Sequence, residues 1–429
     1  MRFLRVLMVN KFHYPKGGSE TYYFAVGEAL EEKGNEVAWF AMQDSKNLPC
    51  KQSGYFVPAS DYNGKLSPAK MVREATTLAY SPMALNRFER LLEDFRPDVI
   101  HLNLIHRQIT FSILDAPYLR EHPVPVVYTA HDYIPVCPNC TMLDGKGEVC
   151  DDCLVGGFSA CVKKRCVKGS RAKSWLAAHE AKFLHQKGYY EKIDRIIAPS
   201  EFMRNKLIQG GFSERQVVHM QNFAKDEVLE WARNADDMTD WKNPYVLFFG
   251  RLSKEKGIDV LVDAFERALP QMPNNIKLVI AGDGPERESL EKKSNDRIVF
   301  VGFKQGDELE KLVSGATLAC CPSICRENMP YSIVEALAEG TPVVGSRIGG
   351  IPELVIEDET GWLAEPGDVD SLAMAIEKAT VFAQDTVAYH ALQHQCRKYV
   401  LAHCEQSSYM NRLTDLYKKL ISEKGNACA

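Results

Sequence analysis

Short apolar runs alternate with helical segments along almost the whole chain, and this alternation limits the possible folds more than any other feature. Continuous apolar runs bounded by polar residues or glycine are typical of strands buried on both faces. They occur in both halves, for example at Arg5–Asn10, Val124–Thr129, Tyr245–Phe249 and Thr317–Cys321. Because helical segments separate them, the pattern predicts α/β domains with mainly parallel sheets. A chain of 429 residues is long enough for two such domains.

The domain boundaries follow from a change in composition. Residues 224–243 are acidic and poor in strand-forming residues, which predicts a linker. We therefore expect an N-terminal Rossmann-like domain over residues 1–223 and a C-terminal Rossmann-like domain over residues 244–404. Residues 405–429 are predicted to form a terminal helix. After Gly350, the pattern predicts a helix, a hairpin-like return and a further helix.

Charge and hydropathy exclude some classes of protein. The net charge of −5 gives no overall attraction to nucleic acid. No apolar run approaches the roughly 18–20 residues of a membrane-spanning helix. The apolar start of the chain is too short for a signal peptide and lacks a small-residue cleavage site, so we interpret it as a first strand. With thirteen cysteines and no secretory signal, we expect a reducing, cytoplasmic location.

The stretch after Thr317–Cys321 predicts a ligand site at a strand end. A loop and a short helix follow that strand, where open α/β sheets bind ligands. The free amide groups near Met329 to Ser332, at the start of the helix, can bind a phosphate. Glu327 and Glu335 lie on either side, and their carboxylates can accept hydrogen bonds from sugar hydroxyls. Taken alone, the spacing of Glu335 also fits a solvated stripe on the helix.

Pro330 and Gly340 set the expected limits of this helix. Pro330 suits a first helical turn, because its missing N–H would be unpaired there anyway. Gly340 suits the position just past the helix end, where left-handed backbone is needed.

Other candidate residues also follow predicted strands. Arg251 and Lys256 come after Tyr245–Phe249, an arrangement that can neutralise a diphosphate, although alone they also fit surface charges. His131 follows Val124–Thr129, and Asp132 could orient it; a single histidine is more often a packed or surface residue. Further candidate residues are the paired Gly17 and Gly18 after the first strand and Gly302 after a later strand. Asn103 and His106 are weaker candidates for binding an acceptor.

The spacing Glu327–x7–Glu335, followed by EGTPVVGS, resembles the signature of the family 4 retaining glycosyltransferases. These enzymes have the GT-B fold, so the resemblance implies two Rossmann-like domains facing a central cleft. It also implies a terminal helix that crosses back to the N-terminal domain. One difference is that many members have Pro-Phe-Gly or Gly-Phe-Gly after the first glutamate, whereas this chain has Asn-Met-Pro.

The resemblance implies a function for each candidate residue. His131 and Glu327 would contact the donor sugar, Arg251 and Lys256 the diphosphate leaving group, and Glu335 the ribose. The remaining implied substrate-binding residues are Gly17, Gly18, Gly302, Asn328, Met329 and Pro330.

The implied activity is retaining transfer of a sugar from a UDP- or GDP-sugar to a glycan or lipid-linked acceptor, in cell-surface polysaccharide or glycolipid synthesis. No catalytic metal is expected. Two alternatives are a GT-B sugar-nucleotide epimerase and a non-catalytic sugar-nucleotide-binding scaffold, and the intact candidate residues disfavour both.

A cysteine-rich insertion at residues 137–166 predicts a structural metal site. It contains two CxxC pairs, Cys137 with Cys140 and Cys150 with Cys153, and four thiolates suit tetrahedral zinc. An iron–sulfur cluster is the less favoured alternative. Cys161 and Cys166 follow and could also contribute ligands.

A basic segment follows the cysteines. Lys163–Lys173 holds six basic residues in eleven, next to a predicted helix that begins near Trp175. This combination fits a solvated loop before a core helix. It also fits peripheral contact with anionic lipid at the inner face of the membrane.

Overall fold

The computed structural model describes residues 3–58, 78–234 and 243–427. The chain divides into two compact units, one of Met1–Met220 with Ser407–Ala429 and one of Gln221–Gln406. Each unit contains one six-stranded sheet flanked by helices. The predicted α/β class with two Rossmann-like sheets is therefore confirmed. Among the described residues, no helix combines the length and the apolarity needed to cross a bilayer.

The strands and helices have the following bounds. The strands are β1 (Arg5–Val9), β2 (Glu36–Phe40), β3 (Val99–Leu102), β4 (Val126–Thr129), β5 (Arg195–Ala198), β6 (Val217–His219), β7 (Tyr245–Phe249), β8 (Lys277–Ala281), β9 (Ile298–Gly302), β10 (Leu318–Cys321), β11 (Val343–Ser346) and β12 (Gly361–Ala364). The helices are α1 (Gly18–Glu32), α2 (Pro82–Phe95), α3 (Tyr118–Glu121), α4 (Asp152–Gly156), α5 (Ser159–Lys163), α6 (Arg171–Gln186), α7 (Glu201–Gln209), α8 (Asp226–Asn234), α9 (Ile258–Ala268), α10 (Arg287–Glu291), α11 (Asp307–Ser314), α12 (Tyr331–Ala338), α13 (Val369–Phe382), α14 (Thr386–His403) and α15 (Gln406–Ala427).

The sheet of the first unit is parallel throughout. Its strand order is β2-β1-β3-β4-β5-β6, so the chain starts in the middle of the sheet and extends first to one side and then to the other. β3 and β4 are buried along their whole length, which explains why their sequences are mainly apolar. The order reverses between β1 and β3, and the loops at the carboxyl ends of these strands diverge there.

The sheet of the second unit has the order β12-β11-β10-β7-β8-β9, and every pair in it is parallel. The order reverses between β7 and β10, which therefore flank the crevice of this sheet. β12 lies parallel to β11, with Val343 opposite Gly361 and Ser346 opposite Ala364. The predicted hairpin-like return is therefore wrong. The connection is long enough to carry the chain back across the sheet, as a parallel pair requires.

Part of the predicted linker is a helix of the second unit. Residues 235–242 lie outside the described residues, but Asp226–Asn234 forms α8. Val228, Leu229 and Ala232 are buried on one face of α8, which contacts α12 and α14. The charged residues of this segment occupy the opposite face, so an acidic composition concealed an amphipathic helix.

The terminal helix α15 lies in the first unit. The Tyr409 hydroxyl is 2.6 Å from the Tyr22 hydroxyl, and the Tyr417 hydroxyl is 2.5 Å from His101 Nδ1. These side chains are buried, so each polar atom must find a partner within the protein. The hydrogen bonds therefore fix the position of α15 against α1 and β3.

Candidate active site

A cavity of about 250 Å³ lies at the carboxyl ends of β7, β8 and β10. Phe249, Ala281 and Cys321, the last residues of these strands, contribute to its walls. The cavity therefore occupies the point in the second sheet where the strand order reverses. In open α/β sheets this point is the usual ligand-binding crevice.

The polar lining of the cavity contains three of the predicted site residues. Arg251 and Lys256 follow β7, and Glu335 lies on α12. Gly302 ends β9, directly before Phe303 and Lys304, which also line the cavity. The second sheet thus brings together loops from four strand ends, as its topology requires.

Glu327 lies beside the cavity and pairs with Lys256. The Lys256 ammonium is 2.6 Å from Glu327 Oε1, and the Ser323 hydroxyl donates to the same oxygen at 2.8 Å. Burial alone would lower the pKa of Lys256, but the Glu327 carboxylate more than offsets this and raises it above the usual value. Burial alone would raise the pKa of Glu327, but Lys256 and Ser323 bring it below the usual value. Both groups are therefore charged at neutral pH.

Two glycines allow this pair to form. Gly257 has a φ of +66°, and a Cβ there would lie 2.1 Å from the Pro322 carbonyl oxygen. Gly349 has a φ of +63°, and a Cβ there would lie 2.3 Å from the carbonyl oxygen of Glu327. These close backbone contacts hold the Lys256 turn and the Glu327 loop against the strand ends.

The helix that carries Glu335 begins at the cavity. α12 spans Tyr331–Ala338, and Ser332 in its first turn lines the cavity. Pro330 precedes the helix with φ −71° and ψ 119°, one residue earlier than predicted. Gly340 follows the helix with a φ of +77°, as predicted. The positive end of the helix dipole therefore lies at the cavity.

Asn328, Met329 and Pro330 connect Glu327 to α12. Met329 is buried, and the other two residues are partly exposed. None of the three is among the residues that line the described cavity, so their predicted contact with a diphosphate stays a prediction.

Two glutamates of this region bind protons unusually tightly. Burial raises the pKa of Glu335 to about 7, partly offset by Lys225 and reinforced by Glu227. Burial and Glu310 likewise raise the pKa of Glu339 to about 7. Only Glu335 lines the cavity. The solvated helix stripe considered for Glu335 is therefore not what the structure has.

The first unit has its own polar cluster at the carboxyl ends of β1, β3 and β4. We call Asn10, Glu20, Asn103 and His131 the first-unit cluster. His131 Nε2 is 2.8 Å from Asn103 Oδ1, while Asn10 Nδ2 donates to Glu20 Oε1 at 3.1 Å. The Asn10 side chain also accepts from the Leu104 amide at 3.1 Å, which links the loops after β1 and β3.

Asn103, and not Asp132, orients His131. Asp132 Oδ1 instead accepts from the Ile134 amide at 3.0 Å. Asn103 Nδ2 donates to the Val9 carbonyl at 3.3 Å, so its Oδ1 is free to accept from His131 Nε2–H. Burial lowers the pKa of His131 to about 3, which keeps the ring neutral and leaves Nδ1 as its acceptor.

The other candidates in the first unit have simpler environments. His106 is buried, with Nε2 3.1 Å from the Tyr190 hydroxyl and its ring against Phe111. It packs in the core, and its contact with an acceptor stays a prediction. Gly17 and Gly18 are exposed at the start of α1. Gly17 has an extended backbone that does not itself require glycine.

The predicted zinc ligands do not all face one another. Cys137, Cys150 and Cys153 line a second, small cavity, whereas Cys140 does not. Among the described residues, no three histidine, cysteine, aspartate or glutamate side chains are already grouped to hold a metal ion. None of the described cysteines forms a disulfide.

Sequence patterns missed two residues of these sites. Ser323 bonds Glu327, and Lys304 lines the main cavity. Each lies two residues after the end of a strand. That position was the feature of the sequence that could have indicated a site residue. Nothing local to the sequence indicates which carboxylate Ser323 bonds, because the pairing depends on the tertiary fold.

Two family models together match most of the chain. Residues 16–227 match "Glycosyltransferase Family 4", and residues 235–389 match "Glycosyl transferases group 1". The chain belongs to family 4 of the glycosyltransferases. The second match contains the cavity and the Glu327–Glu335 motif, and the first contains His131 and the Gly17–Gly18 loop.

Individual curated relatives are similar over shorter stretches. An uncharacterized glycosyltransferase of Methanocaldococcus jannaschii is 36% identical over 37% of this chain and 40% of its own length. The sulfoquinovosyl transferase of Arabidopsis thaliana is 28% identical over 68% of this chain and 51% of its own length. The chain thus spans about half or less of the length of these curated relatives.

The fold agrees with solved family structures. HepE of Anabaena, in complex with UDP and glucose, superposes with a TM-score of 0.63 at 17% identity, over 97% of this chain and 100% of that one. At this identity the likeness concerns the fold alone. Together with the two parallel six-stranded sheets, it identifies the GT-B fold.

Proposed function

We propose that the chain is a retaining glycosyltransferase that moves a sugar from a nucleoside-diphosphate sugar to a glycan or lipid-linked acceptor, in cell-surface polysaccharide or glycolipid synthesis. One observation carries this proposal. Arg251, Lys256 and the start of α12 converge on one cavity at the switch point of the second sheet. Three positive groups around one crevice match the charge of a diphosphate.

A UDP-sugar is the first candidate donor, and a GDP-sugar is the second. The structurally similar HepE was solved with UDP and glucose, which supports this choice. Phe303 lines the cavity, is 67% exposed and offers an aromatic face to a nucleobase. Glu335 would accept hydrogen bonds from the ribose hydroxyls.

The chemistry is stabilisation of the leaving group. When the bond to the sugar breaks, negative charge develops on the diphosphate, where Arg251, Lys256 and the α12 amides would meet it. A preorganised donor of this kind is worth about 2.7–4 kcal/mol in the transition state. The acceptor hydroxyl would attack on the face from which the diphosphate leaves, with a phosphate oxygen taking its proton. This scheme needs no side-chain nucleophile and no catalytic metal.

Glu327 would contact the donor sugar. Lys256, Ser323 and Cys325 all bond its Oε1 in the described part of the chain, so Oε2 is the oxygen available for a sugar hydroxyl. Lys256 thereby serves two partners, since it keeps Glu327 ionised and supplies charge to the cavity.

The first-unit cluster would bind sugar hydroxyls. Neutral His131 can accept a hydrogen bond at Nδ1, because Asn103 fixes the opposite nitrogen as the donor. The exposed Gly17 and Gly18 would let substrate approach the backbone at the start of α1. We assign the acceptor to this unit, and His131 to a sugar hydroxyl.

A membrane-linked acceptor is supported by the surface near the cysteines. Trp175 is 47% exposed, Val155 is 93% exposed, and Lys163–Lys173 adds six positive charges. Exposed apolar and basic residues together favour binding to anionic lipid at the inner face of the membrane. Co-sedimentation with phosphatidylglycerol vesicles should weaken for Trp175→Ala. It should not weaken for Met374→Ala, another exposed apolar residue.

A ligand screen followed by product analysis tests the proposed activity. UDP-, GDP- and ADP-sugars are added in turn, and a ligand at about 100 times its dissociation constant should stabilise the protein by about 2.7 kcal/mol. The stabilising donor is then incubated with a membrane lipid extract, and nucleotide release and labelled lipid are measured. We expect release coupled to labelling. An altered sugar nucleotide without transfer would indicate an epimerase, and binding without turnover would indicate a scaffold.

A further inference from the structure

Five cysteines surround one small cavity in the first unit. They are Cys137, Cys150, Cys153, Cys161 and Cys166. The cavity has a volume of about 10 Å³. This is enough for about one water molecule or ion. Apolar side chains form the other walls. The described structure contains no disulfide among these thiols.

Four of the thiols are mutual neighbours. Cys153 interacts electrostatically with Cys137, Cys150 and Cys166. Cys137 in turn interacts with Cys150 and Cys166, and Cys166 interacts with Cys150. Every pair within this set of four therefore interacts, and Cys161 likewise interacts with Cys137, Cys153 and Cys166.

Cys140 belongs to a different environment. It completes the CPNC motif with Cys137 and interacts electrostatically with it, but it also interacts with Asp132 and Arg107 and does not line the cavity. Its backbone has a φ of +58°, in the left-handed region. This turn separates the direction of its side chain from that of Cys137.

Hydrogen bonding distinguishes Cys150 from Cys161. The Lys164 ammonium donates to Cys150 Sγ at 3.4 Å, so the sulfur of Cys150 accepts a hydrogen bond. Cys161 Sγ donates to the Ser174 carbonyl oxygen at 3.9 Å, so Cys161 uses its proton. A metal ligand loses its thiol proton, and this would cost Cys161 its hydrogen bond to the Ser174 carbonyl oxygen.

We propose that Cys137, Cys150, Cys153 and Cys166 form a structural zinc site and that Cys140 is not a ligand. Four thiolates at about 2.3 Å from one ion would satisfy tetrahedral zinc. Because no three ligands are already grouped in the described structure, the thiols must rotate about χ1 into the cavity that they line. Lys164 would offset part of the negative charge of the loaded site.

The surrounding segment explains why such a site is useful. Between β4 and α6, the described chain has only α4 and α5, of five residues each, and an isolated bridge between Leu143 and Val149. With so little regular structure in this segment, a metal that joins its turns would stabilise it.

Matched serine variants of the full-length protein test the ligand set. Protein grown with added zinc and purified without chelator is analysed for metal. We expect about one zinc per chain in the wild type and in Cys140→Ser. We expect a loss of most of the metal in Cys166→Ser and in Cys153→Ser. Zinc-free wild-type protein, an iron–sulfur absorption spectrum, or loss of zinc in Cys140→Ser but not in Cys166→Ser would overturn the proposal.

A measurement on the wild type covers the case in which a serine variant does not fold. Thiols are alkylated in the native protein with and without a zinc chelator, and modified positions are mapped by mass spectrometry. The chelator should raise the alkylation rates of Cys137, Cys150, Cys153 and Cys166 and leave that of Cys140 unchanged. Rates that do not depend on the chelator would overturn the proposal, as would a disulfide between any of the four.

Discussion

The ammonium of Lys256 lies 2.6 Å from Oε1 of Glu327, although the two residues are 71 positions apart in the sequence. The loops after β7 and β10 bring them together at the edge of the cavity. Their side chains are 30% and 15% exposed, so the charges are only partly screened by water. The pair therefore links Lys256, which is proposed to bind the diphosphate, to Glu327, which is proposed to bind the donor sugar.

Replacing Lys256 by methionine should lower turnover by about 100-fold or more, because it removes a positive charge aimed at the leaving group. Lys254→Met is a matched control, since Lys254 is an exposed lysine in the same short turn. Steady-state kinetics with the identified donor checks the difference. Equal losses in the two variants would show that Lys256 has no special role.

Lys256→Met should also lower the free energy of unfolding, by about 1–3 kcal/mol. The loss should be smaller than for a fully buried ion pair, because both side chains are partly exposed. The lowered pKa of Glu327 means that its contribution is present above about pH 4.3 and is lost as the pH falls through the folded-state pKa. The raised pKa of Lys256 means that its contribution is present below about pH 10.4 and is lost as the pH rises through its folded-state pKa. Denaturant unfolding should thus show a constant difference near neutral pH.

Donor affinity should depend on the ionisation of Glu335. The ribose hydroxyls would bond its carboxylate form, so affinity for UDP-glucose should rise as the pH increases through about 7. Glu335→Gln should abolish this rise. Glu339→Gln is the control, because the pKa of Glu339 is also about 7 but its side chain does not line the cavity. Calorimetry at several pH values checks this, and a rise that survives in Glu335→Gln would be contrary evidence.

The same two glutamates should affect stability. Because their pKa values are raised in the folded state, folding takes up protons between about pH 4.3 and pH 7, and the protein should become more stable as the pH falls through this range. Each glutamine variant should flatten the measured pH dependence of unfolding. An unchanged slope in both variants would contradict the raised pKa values.

Gly349→Ala should disturb the Glu327 loop. A Cβ there would lie 2.3 Å from the Glu327 carbonyl oxygen, in addition to the cost of a positive φ. Gly367→Ala is the control, because its φ is +76° but its new Cβ would meet only Ile324 at 3.7 Å. We expect about 1–2 kcal/mol of destabilisation from φ alone in the control. Gly349→Ala should lose more and should also bind the donor more weakly. Thermal unfolding and ligand titration check both effects. Equal stability and equal donor affinity in the two variants would contradict this role of the loop.

His131 should stay neutral across the physiological range, because burial lowers its pKa to about 3. Its ring resonances, assigned by comparison with His131→Asn, should therefore show no titration between about pH 5 and pH 8, whereas an unperturbed histidine would titrate near 6.5. A midpoint near that value would mean that the ring is solvated and that the bond to Asn103 does not orient it.

Much of the fold could be predicted because each buried strand carries its own local signal. The run Tyr245–Phe249 is apolar along its length and has the bounds predicted for it. The direction of β12 could not be predicted in this way, since pairing with β11 depends on how the intervening chain crosses the sheet. The helix α8 was hidden because composition averages over its charged and buried faces.

The candidate site was predictable where a motif fixes a local geometry. Glu335 and the start of α12 are separated by about one turn, so the sequence already places them near each other. The bonds from Ser323 to Glu327 and from Asn103 to His131 arise from tertiary packing and have no signal in the spacing. The CxxC spacing also predicted Cys140 as a zinc ligand together with Cys150, and of these two only Cys150 lines the small cavity, a placement that the spacing does not encode.

Binding of free nucleoside diphosphates tests the central claim most directly. UDP, GDP and ADP are titrated calorimetrically into the wild type, into Arg251→Met, and into Arg267→Met, which removes a surface arginine of α9 that does not line the cavity. We predict that one nucleotide binds the wild type and Arg267→Met equally, and that it binds Arg251→Met about 10- to 100-fold more weakly, as expected for a lost charge-assisted contact of about 1.5–3 kcal/mol. If none of the three nucleotides bound, or if Arg251→Met bound as tightly as the wild type, the diphosphate would not lie in this cavity.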